Sequence, residues 1–268
     1  MPAGIAILAL STVLAAEPAL FTVAIDPGHG GSNRGAPTKK GDVYEKHVTL
    51  AIAKRVQKLL AGEKDLKVVL CRTADVFLPI RARVRCANQA GARLFISLHA
   101  NAADPTLAPG SQEGFTLFVL PTAEVDKQVT RVALLAPDDS EAAWAGHRVR
   151  ETAKQSLAAA RRIEWRLADA LGRGLDRGIK QEGATLDVLQ GLDMPAVLVE
   201  VGFLDHEREG PYLLSEEGQR TLAAALAGAI TDLRSRERRG LKEPMTTAPR
   251  PTQQVPRTPA GEPEAGGR

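Results

Sequence analysis

Four side chains could carry chemistry in this sequence: His29 in "VAIDPGHGGSNRGA", Glu45 in "VYEKHVTL", His99 in "SLHAN" and Glu200 in "AVLVE". Two neutral imidazoles and a carboxylate, with a fourth position left to water, form a catalytic zinc set. A second carboxylate nearby, not bound to the metal, can then act as general base. Singly, each has a plainer reading. A lone histidine is more often structural. Glu45 would be a carboxylate at a helix start, favoured by the helix dipole, and Glu200 a salt-bridged strand residue. Placement favours the metal. His29 and His99 follow apolar runs, Glu200 ends another, and open α/β sheets collect functional groups beyond the carboxyl ends of their strands. A carboxylate in such a run is costly unless it is paired or near a metal.

Gly28, Gly30, Gly31 and Gly35 surround His29 and free the backbone for positive φ and close approach to a ligand. A phosphate-cradling loop would use similar glycines, but this stretch lacks the Gly-Lys-Ser/Thr ending that makes that motif specific. The remaining histidines stand apart. His47 is two residues from Glu45 and points elsewhere on its helix. His206, in "FLDHERE", follows the Glu200 run and reads as a neighbour of the site or as a solvated side chain, while His147 lies in a long helical stretch.

The elements that must position these groups alternate. "LFTVAI", "LKVVLC", "LFISL", "GFTLFVL", "TLDVL" and "AVLVEV" read as strands. Helical periodicity covers Lys46 to Leu60, Ile80 to Ala90, and a closing stretch with Leu222, Leu226, Ile230 and Leu233 on one side. Pro137 to Leu171 contains a single glycine, and Asp138 with Glu141 reads as a capping box. From Val149 to Leu171 an apolar stripe makes this helix longer than crossing one sheet requires. The pattern predicts a single α/β domain over about 20–234, with a mostly parallel sheet of roughly six strands and helices on both faces.

The chain has 268 residues, 44% hydrophobic and 25% charged, with a formal net charge of +3. The segment from Ser235 to Arg268 holds seven Lys/Arg against four Glu, which accounts for that excess, so the remainder presents no basic face for nucleic acid. This Pro/Arg-rich tail, 235–268, reads as disordered. At the other end, residues 1–16 resemble a secretory signal peptide, with an apolar core from Ile5 to Ala15 that is too short for a comfortable membrane span. Export to the periplasm or cell envelope is the expectation. Cys71 and Cys86 read as two buried thiols, although export would permit a bridge between them.

"IDPGHGG", "YEKHVTLAIAKRVQKLL", "CRTAD", "RARVRCANQAGARLFISLHAN", "GFTLFVL" and "MPAVLVEVGFLDHERE" together resemble the zinc-dependent N-acetylmuramoyl-L-alanine amidases of type 3, the AmiC-like catalytic domain. The resemblance runs from about Phe21 to Leu233, with the motifs in the family's order. It implies a six-stranded sheet flanked by helices, phosphorylase/hydrolase-like in type, with zinc on His29, Glu45 and His99 and with Glu200 as the catalytic carboxylate. Asn101 and His206 are the candidates for substrate contact or for supporting the ligands. The implied reaction is hydrolysis of the linear amide joining N-acetylmuramic acid to L-alanine of peptidoglycan, in cell-wall remodelling, daughter-cell separation or lysis. Zinc would polarise the carbonyl and lower the pKa of its water, while Glu200 would move the proton to the departing nitrogen.

In cell-division amidases of this family an inserted helix covers the cleft until an activator protein displaces it. The segment 122–162 lies at that place. The resemblance therefore implies autoinhibition, with Glu141, His147 or Glu151 approaching the zinc; a merely lengthened scaffold helix is the alternative. The sequence departs from the family at Cys71, where Thr or a small apolar residue is common, and at Asp205-His206, where Ser-Asn is common. Three other classes stay open: a zinc peptidase on stem peptides, a non-catalytic wall-binding or regulatory homologue, and an exported scaffold with structural histidines.

Overall fold

Three apolar runs that precede or contain a candidate side chain lie side by side in one sheet. The computed structural model describes residues 20–104, 106–107, 111–181 and 186–240. In chain order the elements are β1 (Phe21–Pro27), α1 (Glu45–Leu60), β2 (Leu66–Leu70), α2 (Ile80–Gln89), β3 (Leu94–Asn101), β4 (Phe115–Phe118), α3 (Thr122–Leu135), α4 (Asp139–Leu171), β5 (Asp176–Lys180), β6 (Ala196–Phe203), α5 (Glu209–Leu214) and α6 (Glu216–Arg238). The six strands are ordered β2-β1-β3-β6-β4-β5. All neighbours pair in parallel except β4 with β6. The carboxyl ends of β1, β3 and β6 therefore share one rim, and β4 starts at that rim and runs away from it.

Strand side chains alternate between faces, and the two faces differ. Val23, Ile25, Leu94, Ile96, Leu98, Val197 and Val199 pack beneath α1, α4 and α6 in the larger core. The intervening Ala24, Phe95, Ala196 and Leu198 form a smaller core with Ala87 of α2, Ala92, Met194 and a short turn that supplies Leu186, Val188 and Leu189. By the same alternation Asp26, Ser97, His99 and Glu200 project on this thinly covered face. Polar side chains can be tolerated there because few apolar helices compete for the space.

Three readings of the sequence change. "TLDVL" supplies a 3-10 turn at Asp187–Leu189, and the sixth strand is instead "DRGIK", Asp176–Lys180. That strand is at the sheet edge with only Gly178 buried, so it carries no hydrophobic signal. The long helical stretch after Pro137 is one helix, α4, as expected, and the segment 122–162 takes in a separate helix, α3, ahead of it. Asp138 accepts from the Glu141 amide at 2.9 Å and starts α4 afresh after α3. The last helix continues to Arg238, four residues into the expected tail, where Arg234 and Arg238 pair with Asp65. Cys71 and Cys86 are joined in a disulfide with their Cα atoms 5.6 Å apart, in place of the two expected thiols. The leader-like segment 1–16 and the tail beyond 240 lie outside the described residues. Among the described residues no helix is long and apolar enough to cross a membrane.

Candidate metal centre

β1 ends at Pro27, and two residues later His29 takes φ of 61°, the only non-glycine residue at positive φ among those described. Such a conformation is disfavoured for a side chain with a Cβ and persists only when its surroundings enforce it. Two glycines make the enclosure possible. A Cβ on Gly28 would run into the His99 ring, and one on Gly35 into Glu45 and His29. His29 Nδ1 pairs with Asn33 Oδ1 at 2.8 Å, which orients the ring and leaves Nε2 2.9 Å from Glu45 Oε2.

Glu45 is the first residue of α1 and is buried. Its Oε2 accepts from the Ala36 amide at 2.9 Å, and its Oε1 from the Ala100 amide at 3.0 Å, with His99 Nδ1 at 2.8 Å. Burial alone would raise the Glu45 pKa, but the bonds to His29 and His99 outweigh it and hold the carboxyl well below the usual range. Burial likewise works against a charged His99, and the bond to Glu45 more than reverses this, so its pKa is raised. The two imidazoles meet edge to face, 4.9 Å apart at 81°.

One ligand atom from each of His29, Glu45 and His99 lies within 4.8 Å of the others. Two imidazole nitrogens and a carboxylate oxygen suit a borderline divalent cation and leave room for exchangeable ligands. The His29 and His99 side chains keep 22% and 18% exposure, so the cluster is reachable from solvent.

Glu200 stands beside His99 in the β3–β6 register. Its Oε2 is enclosed and has no hydrogen-bond partner. Burial pushes its pKa up to about 7, with His99 opposing and the Glu45 charge adding to the rise. An unpaired buried carboxylate is costly unless something else is meant to share the space.

Residues 23–232 match the family model described as N-acetylmuramoyl-L-alanine amidase. The chain belongs to the N-acetylmuramoyl-L-alanine amidase family. Among similar proteins, the probable N-acetylmuramoyl-L-alanine amidase AmiB of Haemophilus influenzae is 30% identical over 221 residues, 76% of this chain and 50% of that protein. The amidase AmiC of Neisseria meningitidis is 30% identical over 220 residues, 78% of this chain and 51% of that one. The chain thus spans about half the length of these curated relatives. Among solved structures, the catalytic domain of the amidase CwlV from Bacillus (Paenibacillus) polymyxa aligns with a TM-score of 0.62 at 29% identity, over 81% of this chain and 99% of that one.

Other candidates in this amidase-family chain lie elsewhere. His206 is buried, and its Nδ1 accepts from the Arg208 and Glu209 amides at 3.2 Å, so it ties down the start of α5. Asn101 ends β3 and is half-buried; its carbonyl accepts from Leu204. Glu141, His147 and Glu151 do not approach the cluster. Glu151 lines a hollow with Phe21, Leu94 and Pro195, at the amino ends of β1, β3 and β6, which is the rim opposite the histidines. Ser156 of α4 bonds the Ala196 amide at that same end. Glu141 lies fifteen residues before Ser156, about 22 Å further along the helix at 1.5 Å per residue, and His147 is exposed. The reason is topological. β4 runs antiparallel to β6 and delivers the chain to the far rim, so the α3–α4 hairpin grows from there.

Sequence reasoning missed the supports of the cluster. Asn33 orients His29, while Asp26 bonds Arg83 at 2.6 Å and Ser97 at 3.1 Å in the buried layer behind it. An aspartate inside the apolar run "VAID" was the available signal.

Proposed function

We propose that this protein is a zinc-dependent hydrolase cleaving the amide between N-acetylmuramic acid and L-alanine in peptidoglycan. The observation that carries the reading is the convergence of His29, Glu45 and His99 beside Glu200, whose enclosed carboxylate oxygen has no partner. Bound zinc supplies Lewis-acid chemistry toward the scissile carbonyl and acidifies water. Glu200, with its pKa near 7, is poised both to take a proton from the attacking water and to return it to the alanine nitrogen as the C–N bond breaks. Asn33 and the Ala36 and Ala100 amides keep the three ligands oriented. Water enters at the exposed edges of His29 and His99.

Export to the cell envelope agrees with this substrate, and a disulfide is at home in an oxidising compartment. Digestion of purified peptidoglycan tests the reading. Wild type should release stem peptides with a free N-terminal L-alanine, and Glu200→Ala should release essentially none. Cleavage between amino acids of the stem, with the muramoyl bond intact, would make the protein a peptidase instead.

A further inference from the structure

Three successive carbonyls, those of Pro27, Gly28 and His29, are gathered by two buried guanidinium groups. Arg72 Nε donates to Pro27 O and Nη2 to Gly28 O, both at 2.8 Å. Arg83 Nη1 donates to Pro27 O at 2.9 Å and Nη2 to His29 O at 2.6 Å. An extended strand sends successive carbonyls to opposite sides. Gathering three on one side bends the chain and fixes the peptide on which His29 adopts its positive φ. With its carbonyl held from behind, the His29 ring is directed toward Glu45.

Both arginines are buried and close enough to repel one another. Asp26, beside Arg83, is the buried carboxylate that offsets them. The sequence keeps the pair together covalently. Arg72 directly follows Cys71 at the end of β2, and Arg83 precedes Cys86 by three residues in α2. The disulfide thus closes the segment 72–85, which supplies both guanidiniums and also Asp75, the acceptor for the Gly31 amide at 2.8 Å. Cys71 Sγ itself meets the Arg83 carbonyl at 3.7 Å.

We propose that Arg72 and Arg83, locked together by the Cys71–Cys86 disulfide, are positioning residues that hold His29 in its ligating orientation, so that the bridge sets the metal affinity of the site. This rests on the metal reading above. Neither arginine touches the ligand atoms; each acts through the backbone of the His29 loop.

The test is zinc titration of the full chain against a competing chelator, with folding followed by circular dichroism. The proteins are wild type, Cys71→Ser/Cys86→Ser, Arg83→Met, and Asp232→Asn as a control. Asp232 pairs with Arg166 and Arg162 between α4 and α6, so its loss lowers stability without touching the loop. Support behind metal ligands typically governs affinity by about 10- to 100-fold, and Arg83→Met should weaken zinc by that range. The double serine variant retains both guanidiniums and should weaken zinc by roughly 5-fold or more, with turnover recovering at saturating zinc. Asp232→Asn should bind as wild type does. Wild-type zinc affinity in the folded double serine variant would overturn the proposal, whether or not Arg83→Met folds. Failure of wild type to bind zinc would instead overturn the metal reading beneath it.

Discussion

Replacing Glu200 with glutamine should move turnover and stability in opposite directions. The substitution keeps the shape and removes the charge and the base. Loss of a positioned general base typically costs about 10²- to 10⁴-fold in rate, which is roughly 3–5 kcal/mol on the barrier. The stability effect follows from burial. In the metal-free protein burial raises the Glu200 pKa from its ordinary 4.5 to about 7, so the fold favours the protonated form. Below pH 4.5 the group is protonated in both states and makes no difference. As the pH rises through the window from 4.5 to 7 the unfolded chain ionises first and stability is lost, by up to roughly 3 kcal/mol above both values. Glu200→Gln removes that loss. Chemical denaturation of chelator-treated protein at pH 5 and pH 8 should show wild type weakening across the interval and the variant far less so. Turnover on peptidoglycan, with zinc content measured alongside, supplies the other half. A variant that keeps its zinc and near-normal turnover would refute the role given to Glu200. A variant markedly less stable than wild type at pH 8 would show that the carboxylate is satisfied in the fold and that the argument from its unpartnered oxygen is wrong.

Other perturbations report on neighbouring parts of the same structure. His29→Ala and His99→Ala should each lower bound zinc to well below one per chain, read by elemental analysis after dialysis, and abolish amide cleavage. Treating wild type with a chelator should do the same, and adding zinc back should restore activity. Asp26→Asn leaves the Arg83 guanidinium in the buried layer without its carboxylate, and breaking such a pair typically costs about 3–5 kcal/mol; a denaturation midpoint within experimental error of wild type would contradict this. The triple variant Glu141→Ala/His147→Ala/Glu151→Ala should hydrolyse peptidoglycan within about twofold of wild type, because those residues sit at the far rim.

The sequence exposed the catalytic candidates because each stands in a context that conflicts with its type. Histidines follow buried strands, a glutamate ends an apolar run, and glycines crowd one imidazole. Strand and helix periods marked β1, β2, β3, β4 and β6, with boundaries off by a few residues where Asp26, Pro27 and His99 continue the pairing. They failed on β5, whose residues at the sheet edge need no hydrophobic pattern, and on "TLDVL", whose apolar residues fill the second core from a turn. The Cys71–Cys86 bridge was undecidable, since spacing in the chain does not say whether two Cβ atoms meet.

What the sequence by itself determined is the set of groups: two imidazoles, two carboxylates, and the glycine-rich loop and strands that carry them. Tertiary structure alone decided their relation. Parallel pairing of β1, β3 and β6 brings residues 29, 99 and 200 to one rim, and α1 enters there with Glu45. The antiparallel β4 sends the α3–α4 hairpin to the other rim, away from the cluster that its sequence position suggested it would cover. Local pattern reports which face a side chain prefers. The direction of each strand is settled only when neighbouring strands compete for the same hydrogen bonds and the same core.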